Sequence, residues 1–390
     1  GVATPIPLGS LAGTPVTSST SNVEIISNAL SLAAGNGFAV NTSGTFTLEP
    51  SGNDFSSPIT FPITEVSLDT AVSGLTIGKA SSADGTSDVN VTIAGVTEIA
   101  GPISVYGGNI SIEQNLTVDS SNSDILLKGS GDITLASDKS IATTGGDVII
   151  WSNSDTTGDN GYILLRSGSS IGTTGGHVWL GGGAGSATWN GLTVGDGYAA
   201  AGAAISSDIF LGSDQGDVAS GIYLENTSIN TGGGHFAAYG SGNDETVGAD
   251  IERGILSIGD FALNTGSGKI YLDAKSINEI SLIFGHHSAH TSSENAILTS
   301  ENTDADAITV TTTSTNSGAW SYGTWVEGTL TVQATKGGGI NWTSEGTQKG
   351  INLGYSPLSA PGDFNLLANS GNILLNTKAK GINIQSTGTI

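Results

Sequence analysis

The side chains able to do chemistry are few and loosely spaced. His286-His287-Ser288-Ala289-His290 gathers three of the five histidines into five residues. Neutral imidazoles suit zinc, copper or nickel, so His286, His287 and His290 form a candidate metal set. Such a site needs a fourth ligand, for which Glu294 is the nearest carboxylate; an exposed polar loop is the alternative. Four acidic loops are candidates for calcium: Asp155 with Asp159 and Asn160, Asp214 with Asp217, Asn243 with Asp244, and Asp304 with Asp306. Calcium takes about six to eight oxygens, and these spacings match neither an EF-hand loop nor a nonapeptide calcium repeat. Calcium is thus a cofactor the loops admit, Asp155 and Asp159 first, and no cofactor is required. Solvated turns are the competing account. Trp320, Tyr322 and Trp325, with Trp189 elsewhere, offer rings for stacking on sugars, although such rings also pack at corners.

These residues sit on a repeating chain. Ser140-Ile141-Ala142-Thr143-Thr144-Gly145-Gly146-Asp147-Val148 returns thirty residues later as Ser170-Ile171-Gly172-Thr173-Thr174-Gly175-Gly176-His177-Val178. A third copy runs from Ser228 to Phe236. His177 and His235 occupy the place of Asp147, which marks them as corner residues. Between copies lie short apolar runs such as Tyr162-Ile163-Leu164-Leu165. A period of this size signals a solenoid. We therefore expect an all-β, right-handed parallel β-helix with three short strands per coil of about 23–34 residues. The Gly176 and Gly234 copies, 58 residues apart, are expected to lie two coils apart. Some 12–14 coils spaced about 4.8 Å apart would make a rod of roughly 60 Å.

The Gly-Gly pairs precede strands and open no helix, which excludes a phosphate-cradling loop. Glycine supplies turns throughout, with 59 copies, and hydrophobic residues make up 37%, adequate for a thin core. Net charge is −24, from 11 Lys plus Arg against 35 Asp plus Glu. That balance excludes nucleic acid as a partner and disfavours an anionic membrane surface. No apolar run is long enough to insert into a bilayer as a helix. Cysteine and methionine are absent and the chain opens on Gly1, so a processed or excised piece is expected.

Five stretches are distinguished. Residues 1–20 read as an irregular lead-in or linker, 21–100 as a less regular solenoid start, and 101–282 as a regular β-helix. Residues 283–330, with the histidines and Thr309 to Thr313, read as an irregular insertion or loop-rich coils. Residues 331–390 resume the β-helix, which is expected to continue past Ile390.

The segments Ala100-Gly101-Pro102-Ile103-Ser104-Val105-Tyr106-Gly107-Gly108-Asn109-Ile110, Gly131-Asp132-Ile133-Thr134-Leu135 and the three Ser-Ile-x-Thr-x-Gly-Gly copies resemble the hemagglutinin-type β-strand repeats of giant surface adhesins. The stretches Phe46 to Phe55 and Gly74 to Lys79 resemble regions upstream of such repeats in gliding, type IX-secreting bacteria. The resemblance covers about two thirds of the chain. It implies secretion, an extracellular or cell-surface location, and a role in adhesion or a surface filament. The partners expected are further repeats or copies end to end, and surface glycans.

Enzymes also occur on parallel β-helices. A polysaccharide lyase of that kind needs a basic residue, and Arg166 and Arg253 are the only arginines. Hydrolysis needs carboxylates clustered on one face, and Asp214 with Asp217 comes nearest, without flanking Asn or His. No catalytic set is expected, and the chain reads as a structural, adhesive protein and not an enzyme. A glycan-binding or glycan-cleaving β-helix is the alternative. Thr143, Thr173 and Thr231 are expected to stack, and an exposed flat Thr ladder would be an ice-binding surface.

Overall fold

The computed structural model describes residues 20–29, 38–40, 42–62, 66–85, 88–155, 161–201, 218–242, 251–277, 279–286, 294–315, 321–353, 363–377 and 382–384. These residues build a three-faced parallel β-solenoid. On the first face twelve described strands form one parallel ladder, from Val23–Ile26 through Ile125–Gly129, Val148–Trp151 and Ile270–Ser276 to Ile373–Thr377. The second face carries strands such as Ile110–Ile112, Ile133–Leu135 and Ile163–Leu165. The third carries Leu116–Ser121, Ser140–Thr144 and Ser170–Gly172. Val218–Asn230 and Ile251–Asn264 run through the corner between these two faces; Val218–Asn230 pairs with strands of both.

Alternation along each strand sets which residues face the bore. Ile125, Val148, Val178, Phe236, Ile270 and Ile308 pair in succession and are fully buried. Each inward aliphatic side chain contributes about 1.5–3 kcal/mol by leaving water. β-Branched residues suit the site because neighbouring coils offer them a pleated, matching surface. Towards the C-terminal coils the first-face strands lengthen to seven residues, as in Ile308–Ser314 and Ile340–Gly346, and their far inward positions are polar. There Thr312, Thr324 and Ser344 bond one another at 2.7–3.3 Å, and the Trp342 indole donates to Thr324 at 3.2 Å. These groups are buried and mutually satisfied, which removes the cost of their desolvation.

Coil length is less uniform than expected. Register steps run from 19 residues, Val91 to Ile110, up to 59, Ile163 to Ile222. The Gly176 and Gly234 copies stack directly and do not lie two coils apart: Val178 pairs with Phe236, and Gly175 N–H donates to the Thr231 carbonyl at 2.6 Å. The extra chain leaves the rod. Val178–Trp189 runs beyond the face and returns antiparallel as Leu192–Gly197. Asn190 and Gly191 between them both take positive φ, 47° and 84°, as a two-residue hairpin requires. This hairpin folds over the outside of the first face, where Val194 joins Ile149, Trp151, Trp179 and Ala237 in a second apolar cluster. The Trp151 indole donates to the Gly183 carbonyl at 2.7 Å.

The Gly-Gly corners have a steric cause. Gly145 takes a positive φ of 79° and Gly175 one of 128°. The following glycine seats against the coil below: a Cβ on Gly146, Gly176, Gly234 or Gly268 would overlap the carbonyl oxygen of Ser123, Gly146, Gly176 or Gly234 respectively. Gly176→Ala should therefore cost about 3 kcal/mol or more, whereas Gly52→Ala, with no neighbour within 4 Å of the added Cβ, should change stability by less than about 0.5 kcal/mol. Urea unfolding of the two variants checks the contrast.

Candidate functional site

Among the described residues, a set of acidic, amide and imidazole side chains is engaged at the coil corners. Where the chain enters the first face, a side-chain acceptor in one coil takes the backbone N–H of the equivalent residue in the next. Asp124 Oδ1 accepts from Asp147 N–H at 2.8 Å, and Asp147 Oδ1 from His177 N–H at 2.6 Å. His177 Nδ1 accepts from His235 N–H at 2.8 Å, and His235 Nδ1 from Lys269 N–H at 2.8 Å. Asp147 and His177 interchange in the repeat because each supplies one acceptor at the same height.

The entry to the second face repeats the device with Asn90, Asn109 and Asp132, which accept from Asn109, Asp132 and Tyr162 N–H at 2.9, 2.9 and 3.1 Å. At the third face Asn226 accepts from Asp260 N–H at 3.0 Å and Asp260 from Asn295 N–H at 2.9 Å. A fourth ladder is formed by Thr143, Thr173 and Thr231, joined by Thr265. Each hydroxyl donates to the carbonyl three residues on, in Gly146, Gly176, Gly234 and Gly268. All four threonines are buried, so the expected stack exists but lies inside the rod and presents no ice-binding surface.

Burial tunes this network. Asp132 is pushed up to about 6 by desolvation, against the lowering effect of its Tyr162 hydrogen bonds, and the Tyr162 hydroxyl is pushed up to about 12. Burial also raises Asp124, with Asp147 adding to the effect. The tautomer of the two imidazoles follows from their bonds. With Nδ1 accepting, the proton sits on Nε2, and neither ring keeps a lone pair for a metal ion.

Of the candidate metal residues, His286 ends the strand Ile280–His286, while His287 and His290 lie outside the described residues. Asp155 is described and Asp159 is not; Asp214, Asp217, Asn243 and Asp244 also lie outside. The Asp304–Asp306 pair already holds a cation, the Lys269 ammonium, at 2.9 and 2.7 Å. Its charge and hydrogen bond draw the Asp306 carboxyl below the ordinary range. Among the described residues no three His, Cys, Asp or Glu side chains converge as metal ligands. Among them, too, no helix is long and apolar enough to cross a membrane.

The aromatic group is also rearranged. Trp320 lies outside the described residues. Tyr322 and Trp325 meet edge to face at 5.9 Å and are 6% and 5% exposed, packed with Tyr223, Leu256 and Ile283 on the outside of the second face. They are packing residues and offer no ring face for a sugar. Arg253, one of two arginines weighed as a base, is buried beside the same face, where desolvation lowers its pKa and Glu327 and Glu279 oppose that shift.

A different aromatic strip is partly exposed. On the outside of the first face Tyr198 donates to Asp273 Oδ2 at 3.0 Å, Tyr239 lies 6.0 Å from Tyr198, and Tyr271 donates to Asp306 at 3.3 Å. Lys275 sits 4.0 Å over the Tyr198 ring. Rings alternating with carboxylates give a surface suited to hydroxyl-rich ligands. Asp273 and Tyr271 were open to sequence reasoning, since both follow Gly268-Lys269 in a recognisable strand; Tyr198 was not, because it reaches the strip only through the hairpin.

Comparison with protein-family models, curated proteins and solved structures finds no match to this chain. The ladders themselves make a prediction. Asp132→Asn keeps the acceptor for Tyr162 N–H, as Asn109 does one coil earlier, and removes a carboxylate that burial disfavours. Because the folded pKa is raised, wild type loses stability as pH climbs from about 4 through about 6. The variant should be more stable at pH 7 by about 1–2 kcal/mol, with the gap closing near pH 4, as thermal melts at the two pH values would read.

Proposed function

We propose that the chain is a structural and adhesive segment of a large secreted or cell-surface bacterial filament or adhesin, serving surface attachment or gliding. The observation that carries this reading is the use of acidic and imidazole side chains as acceptors between coils. Asp124, Asp147, His177, His235, Asp132 and Asp260 are each committed to stacking. A rod built this way turns sequence length into reach, and its charge of −24 keeps it soluble and apart from its neighbours. Further repeats stacked end to end and surface glycans are its partners.

The purified chain on beads should be retained by a polysaccharide surface without releasing soluble product. Accumulation of reducing ends or unsaturated sugars in proportion to protein would favour the enzymatic alternative.

The Tyr198–Tyr239–Tyr271 strip favours glycan contact as the adhesive chemistry. Replacing Tyr239 and Tyr271 together with Ala should weaken retention on glycan about tenfold, equivalent to about 1.4 kcal/mol. The pair Tyr322→Phe and Trp325→Phe should leave retention unchanged. Equal losses in both would remove the strip from the reading.

A further inference from the structure

We propose that His177 and His235 form an acid-sensitive latch that holds three successive coils together at neutral pH and loosens them when the imidazoles take up protons. The two imidazoles lie parallel, 4.8 Å apart with planes within 1°. Each ring is a link in the backbone ladder: His177 N–H reaches down to Asp147, His235 N–H reaches His177 Nδ1, and Lys269 N–H reaches His235 Nδ1. An imidazole serves here only while neutral. Protonation places a hydrogen on Nδ1, where it meets the N–H of the next coil head on. Two bonds become two donor–donor contacts, and two stacked rings acquire like charge.

The surroundings fix the direction. From below, the carboxylates of Asp147 and, one coil further, Asp124 face the stack. From the side, the hairpin presents only the edge of Trp189, 5.6 Å from His177 and 6.5 Å from His235. From above come the Lys269 ammonium and the Asp304 and Asp306 carboxylates that clamp it. Burial, His177 and Lys269 push His235 below its usual 6.5, and Asp304 with Asp306 only partly oppose this. A base whose folded pKa is depressed contributes stability above the unfolded value, and that contribution fades as pH falls through the folded one. The window therefore opens below about 6.5.

The latch sits where the rod is most interrupted. His177 and His235 bracket the 58-residue coil whose hairpin leaves the solenoid. Acid would loosen that junction while the Asn-based corners, which do not titrate, keep their bonds.

The chain supplies its own control, since Asn109 and Asn226 do the same work at other corners without titrating. His177→Asn/His235→Asn should match wild type at pH 7.5. Between pH 7.5 and 5 wild type should lose about 2–4 °C more in melting temperature than the double variant, with each single variant in between. Imidazole ¹⁵N spectra of wild type at pH 7.5 should show both Nδ1 atoms unprotonated and both Nε2 atoms protonated. Identical pH profiles for wild type and double variant, or a protonated Nδ1 at pH 7.5, would overturn the proposal. Should the double variant fail to fold, the single variants and the wild-type spectra decide.

Discussion

The structure depends on how closely one coil can sit on the next. Parallel strands stack at about 4.8 Å, and at the corners this brings backbone against backbone. Gly146, Gly176, Gly234 and Gly268 each lie where a Cβ would collide with a carbonyl of the coil below. Corner N–H groups cannot all find strand partners, so side-chain acceptors on the neighbouring coil meet them. Glycine solves the steric part and Asn, Asp or His the polar part. An apolar bore then extends through the array, with Leu127, Ile150, Leu180, Ala238 and Leu272 one above another.

Charge is arranged around the same constraint. With 35 acidic residues against 11 basic ones, repulsion along the rod is unavoidable. Some carboxylates meet it by accepting backbone N–H bonds, and others by sharing a cation, as Asp304 and Asp306 share Lys269. The exception is Arg253, buried with Nε and Nη1 unbonded, its charge offset by Glu327 and Glu279. A buried cation of this kind costs stability.

Much of this was legible in the sequence. Strand positions followed from alternation, and Gly-Gly followed by a strand marked the corners at Gly146, Gly176 and Gly234. What misled was spacing. A separation of 58 residues near twice the local period looks like two coils, yet Val178 stacks directly on Phe236. The signal that could have corrected it was Asn190-Gly191 between Ala187-Thr188-Trp189 and Leu192-Thr193-Val194, a two-residue hairpin turn. Thr265 was missed because its corner reads Gly-Ser-Gly. Thr309 to Thr313 looked irregular because threonine occupies both inward and outward positions of Ile308–Ser314. Tyr322 and Trp325 could not be placed from sequence, since burial on an outer face depends on what folds back over it.

Side chains at the coil corners hold each coil on the next. Residue-resolved hydrogen exchange at neutral pH tests this most directly. The account predicts that the amides of Asp132, Asp147, Tyr162, His177, His235 and Lys269 exchange as slowly as mid-strand amides such as Ile149 and Leu164. Exchange of the corner amides at the rate of unprotected loops, with the strands still protected, would contradict it.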